Sequence, residues 1–450
     1  MAIIQELGLF SWKDFQDDLQ TLGDLERFKL VIETMPDQKL IQILRDLRAN
    51  GRNDHPIEAM WNSILAGIVF EHVSIESLRR ELRRNAQFRE MCGFDPIAGV
   101  NAVPSKSAYS RFLSRLLNRE PQVREMFDAL VKELMIMFPK FGMNLAGDGK
   151  AIHSFGKPLK KRTNGSQLED DRRREEDADW GTKRYHGVDA DGKAWEKVKS
   201  WFGFRLHLVV DADAELPVAY EITKASSSEQ PVMTKLFAEL NQTHPDLLDR
   251  CDHAMFDKGY DSTDRICDLW DMYGIKPIID IKNMWKDGEK TRLLKNEKIK
   301  NVTYDYKGTV FCHCPKTGEI RPMSYGGFEG ERKTLKYICP ALALGIECKG
   351  SSECPLFKRN IRIPLNEDRR IFTPVARSSY KWKTLYDKRT SVERVNSRID
   401  VSFGFERHYI RGLSKMRLRC GLALSVMLAM AVGRLRQNRP ELMRSLVKAA

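Results

Sequence analysis

Between Tyr386 and Asp400 the chain reads Tyr-Asp-Lys-Arg-Thr-Ser-Val-Glu-Arg-Val-Asn-Ser-Arg-Ile-Asp, with no Pro or Gly. The stretch therefore reads as one helix. At about 100° per residue, positions three and seven apart share a face. Tyr386, Arg389 and Glu393 then line up along one stripe. A phenol, a guanidinium and a carboxylate suit a phosphate: the first two hold oxygens and the carboxylate faces a metal. A solvated helix with charge pairs would show the same spacing, so the rest of the chain has to decide.

Two further carboxylates favour the chemistry. Met143-Asn-Leu-Ala-Gly-Asp-Gly-Lys-Ala-Ile-His153 reads as a strand, or a strand and turn, ending on the carboxylate of Asp148. His253-Ala-Met-Phe-Asp-Lys-Gly-Tyr-Asp261 again puts an acid, Asp257, at the end of a short apolar run, and Gly259 allows a tight turn straight after it. Two acids at strand ends and one on a later helix could hold two divalent ions. All-oxygen ligands favour Mg²⁺ or Mn²⁺. Such a pair activates a water or a 3′-hydroxyl and stabilises the leaving oxygen at a phosphodiester. Asp211, Asp213, Asp252 and Asp261 lie nearby, but residues of this type are usually turn formers or caps.

The elements that must position these groups fall into blocks. Residues 1–135 read as mostly helical. Ser74 caps a helix with Leu78 and Leu82 inside and Arg79, Arg80, Arg83 and Arg84 outside. A short helix from Ala86 ends at Cys92-Gly93. Ser105 caps another whose outer face offers Lys106, Ser107, Ser110, Arg111 and Arg115. This spacing fits a helix-turn-helix-like DNA reader, with Lys106 and Arg111 as contacts; a plain helical bundle with basic solvent faces is the alternative. Residues 158–187, highly charged, read as a surface loop. Trp201–Asp211 and Leu216–Thr223 read as a hairpin, followed by a helix over Gln230–Leu240, a helix over Thr263–Tyr273 and a buried strand over Ile275–Ile281. Strands ending on acids and alternating with helices predict a mixed sheet flanked by helices, an α/β fold with ligands at strand ends. Residues 285–380, rich in Lys, Gly and Cys, read as a small β insertion. The blocks are thus 1–135, 140–284, 285–380 and 381–450. The last holds the Tyr386 helix and a long apolar one, Leu413–Leu435. Its apolar run, Gly421–Gly433, is too short to span a bilayer and predicts a buried helix.

Composition narrows the partner. The 450 residues carry a net charge of +13 and are 42% hydrophobic. That excess favours a polyanion over an acidic membrane. The first residues lack the basic flank and apolar run of a secretion signal, so the nine Cys are expected to be reduced. Five fall together: Cys312, Cys314, Cys339, Cys348 and Cys354. Three of them precede Pro, which suits ligands on tight turns. Cys314, Cys339, Cys348 and Cys354 are the preferred ligands of a structural Zn²⁺; scattered buried thiols are the alternative.

Asp148 in Asp-Gly-Lys, Asp257 in Phe-Asp-Lys-Gly-Tyr-Asp, and Tyr386-x-x-Arg389-x-x-x-Glu393-Arg394, taken together, resemble the bacterial insertion-sequence transposases of the DDE class, in particular those with a β insertion before the catalytic Glu. Gly203-Phe-Arg-Leu-His-Leu208 and the helical segment Leu65–Leu116 share the likeness, which runs from about residue 55 to about residue 435. The resemblance implies a ribonuclease H-like core with Asp148, Asp257 and Glu393 as the metal triad. It implies that Tyr386 and Arg389 grip the DNA backbone. It further implies nicking at the ends of an element, strand transfer by the freed 3′-hydroxyl into target DNA, a homodimer when assembled on double-stranded DNA, and a cytoplasmic, nucleoid-associated protein. One departure stands out. Seven residues after the Glu the family often has Lys; here it is Asp400, so Arg394 or Lys388 would have to serve. A DNA-binding regulator or inactive relative would bind without cleaving, and a nuclease on the same core would cleave without joining.

Overall fold

The computed structural model describes residues 25–48, 54–158, 175–189, 191–296 and 299–446. The helical expectation for residues 1–24 lies outside them. Seven helices come first among the described residues: α1 (Leu25–Thr34), α2 (Gln38–Arg48), α3 (Ile57–Val69), α4 (Ile75–Arg84), α5 (Ala86–Cys92), α6 (Lys106–Leu117) and α7 (Glu120–Met137). Their starts follow local chemistry. The Ser74 hydroxyl accepts the Ser77 amide at 3.1 Å to open α4, and Ser105 accepts that of Ala108 at 3.1 Å to open α6. Helix α5 stops at Gly93, in the left-handed region at φ 92°. Arg79 departs from the expected outer face. It is buried, because its Nε donates to the Pro104 carbonyl at 2.8 Å and its Nη1 to Glu76 at 2.7 Å.

The central sheet contains β1 (Asn144–His153), β2 (Asp179–Val188), β3 (Ala194–Asp211), β4 (Leu216–Lys224), β5 (His253–Phe256) and β6 (Lys276–Ile279). Strand β3 pairs antiparallel with β1, β2 and β4, while β1, β5 and β6 run parallel in that order. Between them lie α8 (Glu229–Thr243), α9 (Pro245–Asp249) and α10 (Thr263–Cys267), the last continued by a π turn over Asp268–Met272. The fold is mixed α/β with a helical N-terminal region. Two expectations are corrected. Asp148 does not end its strand, because pairing with β3 runs on from Asp148 opposite Leu208 to His153 opposite Gly203. Within the expected loop 158–187, residues 159–174 lie outside the described residues, but Asp179 onward is strand β2. It pairs with a segment of β3, Ala194–Ser200, that is exposed throughout. The β2 sequence Asp179-Trp-Gly-Thr-Lys-Arg-Tyr185 has no apolar alternation to betray it.

The Cys-rich stretch builds two small sheets, one from β7 (Arg292–Leu293), β8 (Val302–Tyr304), β9 (Val310–His313) and β10 (Ile320–Pro322), the other from β11 (Ser324–Glu329), β12 (Thr334–Ile338) and β13 (Asn360–Pro364), with the short α11 (Pro340–Ala343) between β12 and β13. Val302, Val310, Leu335, Tyr337, Ile361 and Phe372 form a core of their own, separate from the main one. The chain then returns as α12 (Tyr380–Asp387), a 3₁₀ turn (Lys388–Thr390), α13 (Ser391–Ser402) and α14 (Leu413–Arg436). The single helix expected over Tyr386–Asp400 is therefore two. At the break the Thr390 hydroxyl donates to the Asp387 carbonyl at 2.9 Å, a local bond of the kind that competes with the helical ladder. Helix α14, at 24 residues, is longer than its apolar run suggested and is long and apolar enough to cross a membrane, but 89% of its apolar window is buried, and it packs on α7, α1 and β4. It is the hub of the core.

Candidate active site and cysteine pocket

The parallel pairing of β1 and β5 sets Gly147 opposite Phe256. Asp148 follows Gly147 within β1 and Asp257 follows Phe256 just past the end of β5, so adjacent strands deliver two carboxylates within electrostatic reach of each other. Each is steadied by a nearby amide: Gly149 N–H donates to Asp148 Oδ1 at 2.8 Å and Gly259 N–H to Asp257 Oδ1 at 2.8 Å. A Cβ at Gly259 would stand 2.8 Å from Asp257 Oδ1, so a side chain there would push the carboxylate from this position. Burial pushes the Asp148 carboxyl above the ordinary range. Lys183 opposes the shift, Asp257 adds to it and Arg389 opposes it more weakly.

Arg389 belongs to the predicted stripe, which survives the break between α12 and α13. Arg389 Nη1 donates to Glu393 Oε1 at 2.9 Å, and its guanidinium lies 5.7 Å from the centre of the Tyr386 ring. That ring stacks on Trp382, with centres 4.7 Å apart and planes 12° from parallel. Helix α13 packs on β1 and β3, and Lys150, two residues beyond Asp148, pairs with Asp400 near its end. The acid that replaces a family Lys thus holds a strand lysine. Glu393 is exposed and bound to Arg389. Among the described residues no three His, Cys, Asp or Glu side chains are drawn close enough to hold a metal: the structure brings Asp148 and Asp257 together and leaves Glu393 at the side.

The other candidates are placed as follows. Arg394 Nε donates to Glu215 Oε1 at 2.7 Å, and Lys388 Nζ to Asp213 Oδ1 at 2.6 Å, so both serve the β3–β4 turn. Lys106 and Arg111 are exposed on α6. Asp261 is buried in a bidentate pair with Arg370 at 3.0 and 2.6 Å, and Asp211 accepts the Gly142 and Asp213 amides at 2.7 and 2.9 Å. These acids build structure. Two residues at the site escaped the sequence reading. Glu229, in the first turn of α8, is salt-bridged to Arg205 at 2.9 Å, and Lys183 of β2 lies within electrostatic reach of Asp148, Asp257 and Glu229. Burial works against the Lys183 charge, but the three acids outweigh it and hold its ammonium above the ordinary range. The only sequence signals were an acid just after Ser226-Ser-Ser228, at a helix start, and a basic residue in a stretch not recognised as a strand.

The chain matches the family model described as "Transposase DDE domain" over residues 171–429, more than half its length. It belongs to the DDE transposase family. The match contains Asp257 and Glu393 and begins after Asp148. A second model, "Transposase domain (DUF772)", matches residues 14–115, the helical region that carries Lys106 and Arg111. Such domains are typical of bacterial insertion-sequence transposases. No curated protein matches the chain. Among solved structures it is similar to a piggyBac transposase synaptic complex with hairpin DNA, at 12% identity and a TM-score of 0.37, covering 96% of this chain and 80% of that one.

In the Cys-rich stretch, Cys312, Cys314, Cys339, Cys348 and Cys354 line one cavity of about 30 Å³. Burial first, then the neighbouring thiols of Cys339, Cys354 and Cys348, push Cys312 up to about 11. Cys314 follows β9 and accepts hydrogen bonds from Thr317 and from the Lys316 and Gly350 amides. It packs so closely on the loop between Cys348 and Cys354 that a Cβ on Gly350 would meet its Sγ at 2.7 Å. Asn301 Nδ2 donates to Cys354 Sγ at 3.4 Å. The His313 ring is engaged by Thr303 Oγ1 at 2.8 Å.

Proposed function

We propose that Asp148, Asp257 and Glu393 are the divalent-metal triad of a transposase that nicks the ends of its element and joins them to target DNA. The placement of Asp148 and Asp257 within reach of each other by the β1–β5 register carries this reading. The donors fit Mg²⁺ or Mn²⁺: they are all oxygens, and the Asp148 carboxyl, desolvated beside a second acid, is short of positive charge. When bound, the metal supplies a lowered pKa for a water or 3′-hydroxyl and stabilises the leaving oxygen. The protein does the rest. Asp148 and Asp257 are fixed by strand pairing and by the amides of Gly149 and Gly259. Glu393 joins them by leaving Arg389, which frees that guanidinium for a non-bridging phosphate oxygen beside the Tyr386 phenol. Arg394 and Lys388, held by the β3–β4 turn, would contact DNA only by exchanging those partners.

The strand order β4-β3-β1-β5-β6, antiparallel and then parallel, supports a ribonuclease H-like core formed by residues 140–284 and 381–450. The exposed Lys106 and Arg111 support a DNA-binding role for residues 1–135, and a separate hydrophobic core supports 285–380 as an inserted domain. Cys314, Cys339, Cys348 and Cys354 are assigned as ligands of a structural Zn²⁺, which would draw in thiols that already share a cavity. Joining two element ends calls for at least a dimer on DNA, acting at the bacterial nucleoid. The test is to incubate purified protein with a labelled element end, a target plasmid and Mg²⁺. The expected product is the end covalently joined to the plasmid. Cleavage without joining would reduce the protein to a nuclease, and binding without cleavage to a regulator.

A further inference from the structure

Strands β2 and β3 extend beyond the sheet as a two-stranded ribbon. Their pairing runs unbroken from Asp179 opposite Gly203 to Val188 opposite Ala194, closed by a turn in which Gly192 adopts φ 79°. Residues directly opposite one another in an antiparallel pair share a face. One face therefore carries Lys183 with Lys199, Tyr185 with Lys197, Gly187 with Trp195, and, at the base, Gly181 with Trp201. From Gly181 outward every position on it is lysine, aromatic or glycine; the one acid, Asp179 opposite Gly203 at the foot, is engaged by Ser226. The opposite face sets Arg184 against Val198 and next to Glu196, whose carboxylate it meets at 3.4 Å. The two faces thus differ: one neutralises its charge, whereas on the other Lys183, Lys197 and Lys199 have no ion-pair partner within 4.0 Å among the described residues.

This face is stiffened from within and continuous with the active site. The tryptophan rings lie flat across the cross-strand glycines, so that a Cβ on Gly181 would meet Trp201 at 2.4 Å and one on Gly187 would meet Trp195 at 2.3 Å. At the base Trp201 is buried under the Arg205 guanidinium, 5.1 Å from its ring centre, and Arg205 bonds Glu229 at 2.9 Å beside the catalytic acids. One step up, Lys183 stands within reach of Asp148 and Asp257. Beyond it Lys197 and Lys199 are exposed, as are Tyr185 at 40% and Trp195 at 45%. From Lys183 to Gly187 the face is about 13 Å long at strand rise, close to four nucleotide steps of one DNA strand.

We infer that this face of the ribbon is a DNA track, in which Lys183, Lys199 and Lys197 hold successive phosphates of the strand leaving the catalytic acids and Tyr185 and Trp195 stack on its bases or sugars. The inference rests on the transposase reading of the site. A monotone run of lysines with flat aromatic side chains is what a nucleic-acid strand requires. A protein partner would meet Lys197 and Lys199 exposed side by side on the ribbon with no carboxylate between them.

The test uses full-length protein with the double variant Lys197→Ala/Lys199→Ala and, separately, Trp195→Ala. The lysines are exposed on a ribbon outside the core, so thermal unfolding of the double variant should match wild type. Binding of a labelled element end is measured across a salt series. Loss of two phosphate contacts should flatten the slope of log K against log salt by about 1.8, and metal-dependent cleavage should fall with it. Trp195→Ala should weaken binding at every salt concentration without changing the slope. An unchanged slope and unchanged cleavage in the double variant would overturn the track. A wild-type protein that binds with the full slope but never cleaves would instead overturn the reading of the triad, and the binding arm would still decide the ribbon.

Discussion

The acid pair in the central sheet and the thiol pocket of the two small sheets are assembled in opposite ways. Asp148 and Asp257 are brought together by the register of two parallel strands in the main core, a register held by buried apolar residues such as Leu145, Ala146, Ala254 and Met255 that take no part in the site. The cysteines sit on turns and strand ends of two small sheets, around a cavity that they line together with residues such as Pro315, Met323 and Phe357. The first site should persist without its metal. The second should depend on its metal for order, because a small core is close to the limit of what it can hold without a staple. Their chemistry divides the same way, hard oxygens in one and soft sulfurs in the other, so the two ions should not exchange.

Substitutions can break or sharpen that contrast. The largest effect is expected for Asp257→Ala or Asp148→Ala. End cleavage should fall by about 10³-fold or more, roughly 4 kcal/mol in the barrier, while circular dichroism and DNA binding stay as in wild type. Loss of the fold in either variant would mean that the pair is structural after all. Next comes Cys339→Ser or Cys354→Ser. Metal analysis should show loss of about one zinc per chain, and limited proteolysis should cut within residues 299–364 while the central sheet stays resistant. Wild-type protein without zinc would refute the assignment.

How much of this contrast the sequence reveals depends on how local the signal is. The caps at Ser74 and Ser105, the hairpin turn at Asp211 and the stripe Tyr386–Arg389–Glu393 are set by neighbours within a few residues, and each can be read directly. The buried Arg79 cannot, because its partner is the Pro104 carbonyl, 25 residues away. Strand β2 is hidden because its pattern lacks an apolar face, and with it Lys183. The proximity of Glu229 to Asp148 arises only from the packing of α8 on β1. The role of Asp400 needed its partner Lys150, 250 residues distant in the chain.

Smaller effects probe the third carboxylate and the burial of the first. Arg389→Ala releases Glu393 but removes a phosphate contact. Cleavage should drop by about 10- to 100-fold, about 1.4–2.7 kcal/mol, with a change in kcat larger than the change in end affinity. The smallest effect is one of stability. Burial raises the Asp148 carboxyl pKa, so its charged form costs folding free energy at neutral pH, and that cost disappears as pH falls below the ordinary carboxylate range. Metal-free Asp148→Asn should therefore unfold at a slightly higher denaturant concentration than wild type at neutral pH, and at nearly the same concentration in acid. A variant less stable at neutral pH would contradict the desolvation of Asp148.

The most direct test of the triad is cleavage of a labelled element end in Mg²⁺ or Mn²⁺ by wild type beside Glu393→Gln, a substitution that keeps the shape and removes the charge of the one carboxylate not already in place. Metal-dependent nicking at the end by wild type, lost in the variant while binding to the same DNA is kept, is the predicted result. Equal nicking by both proteins would remove Glu393 from the site and contradict the account.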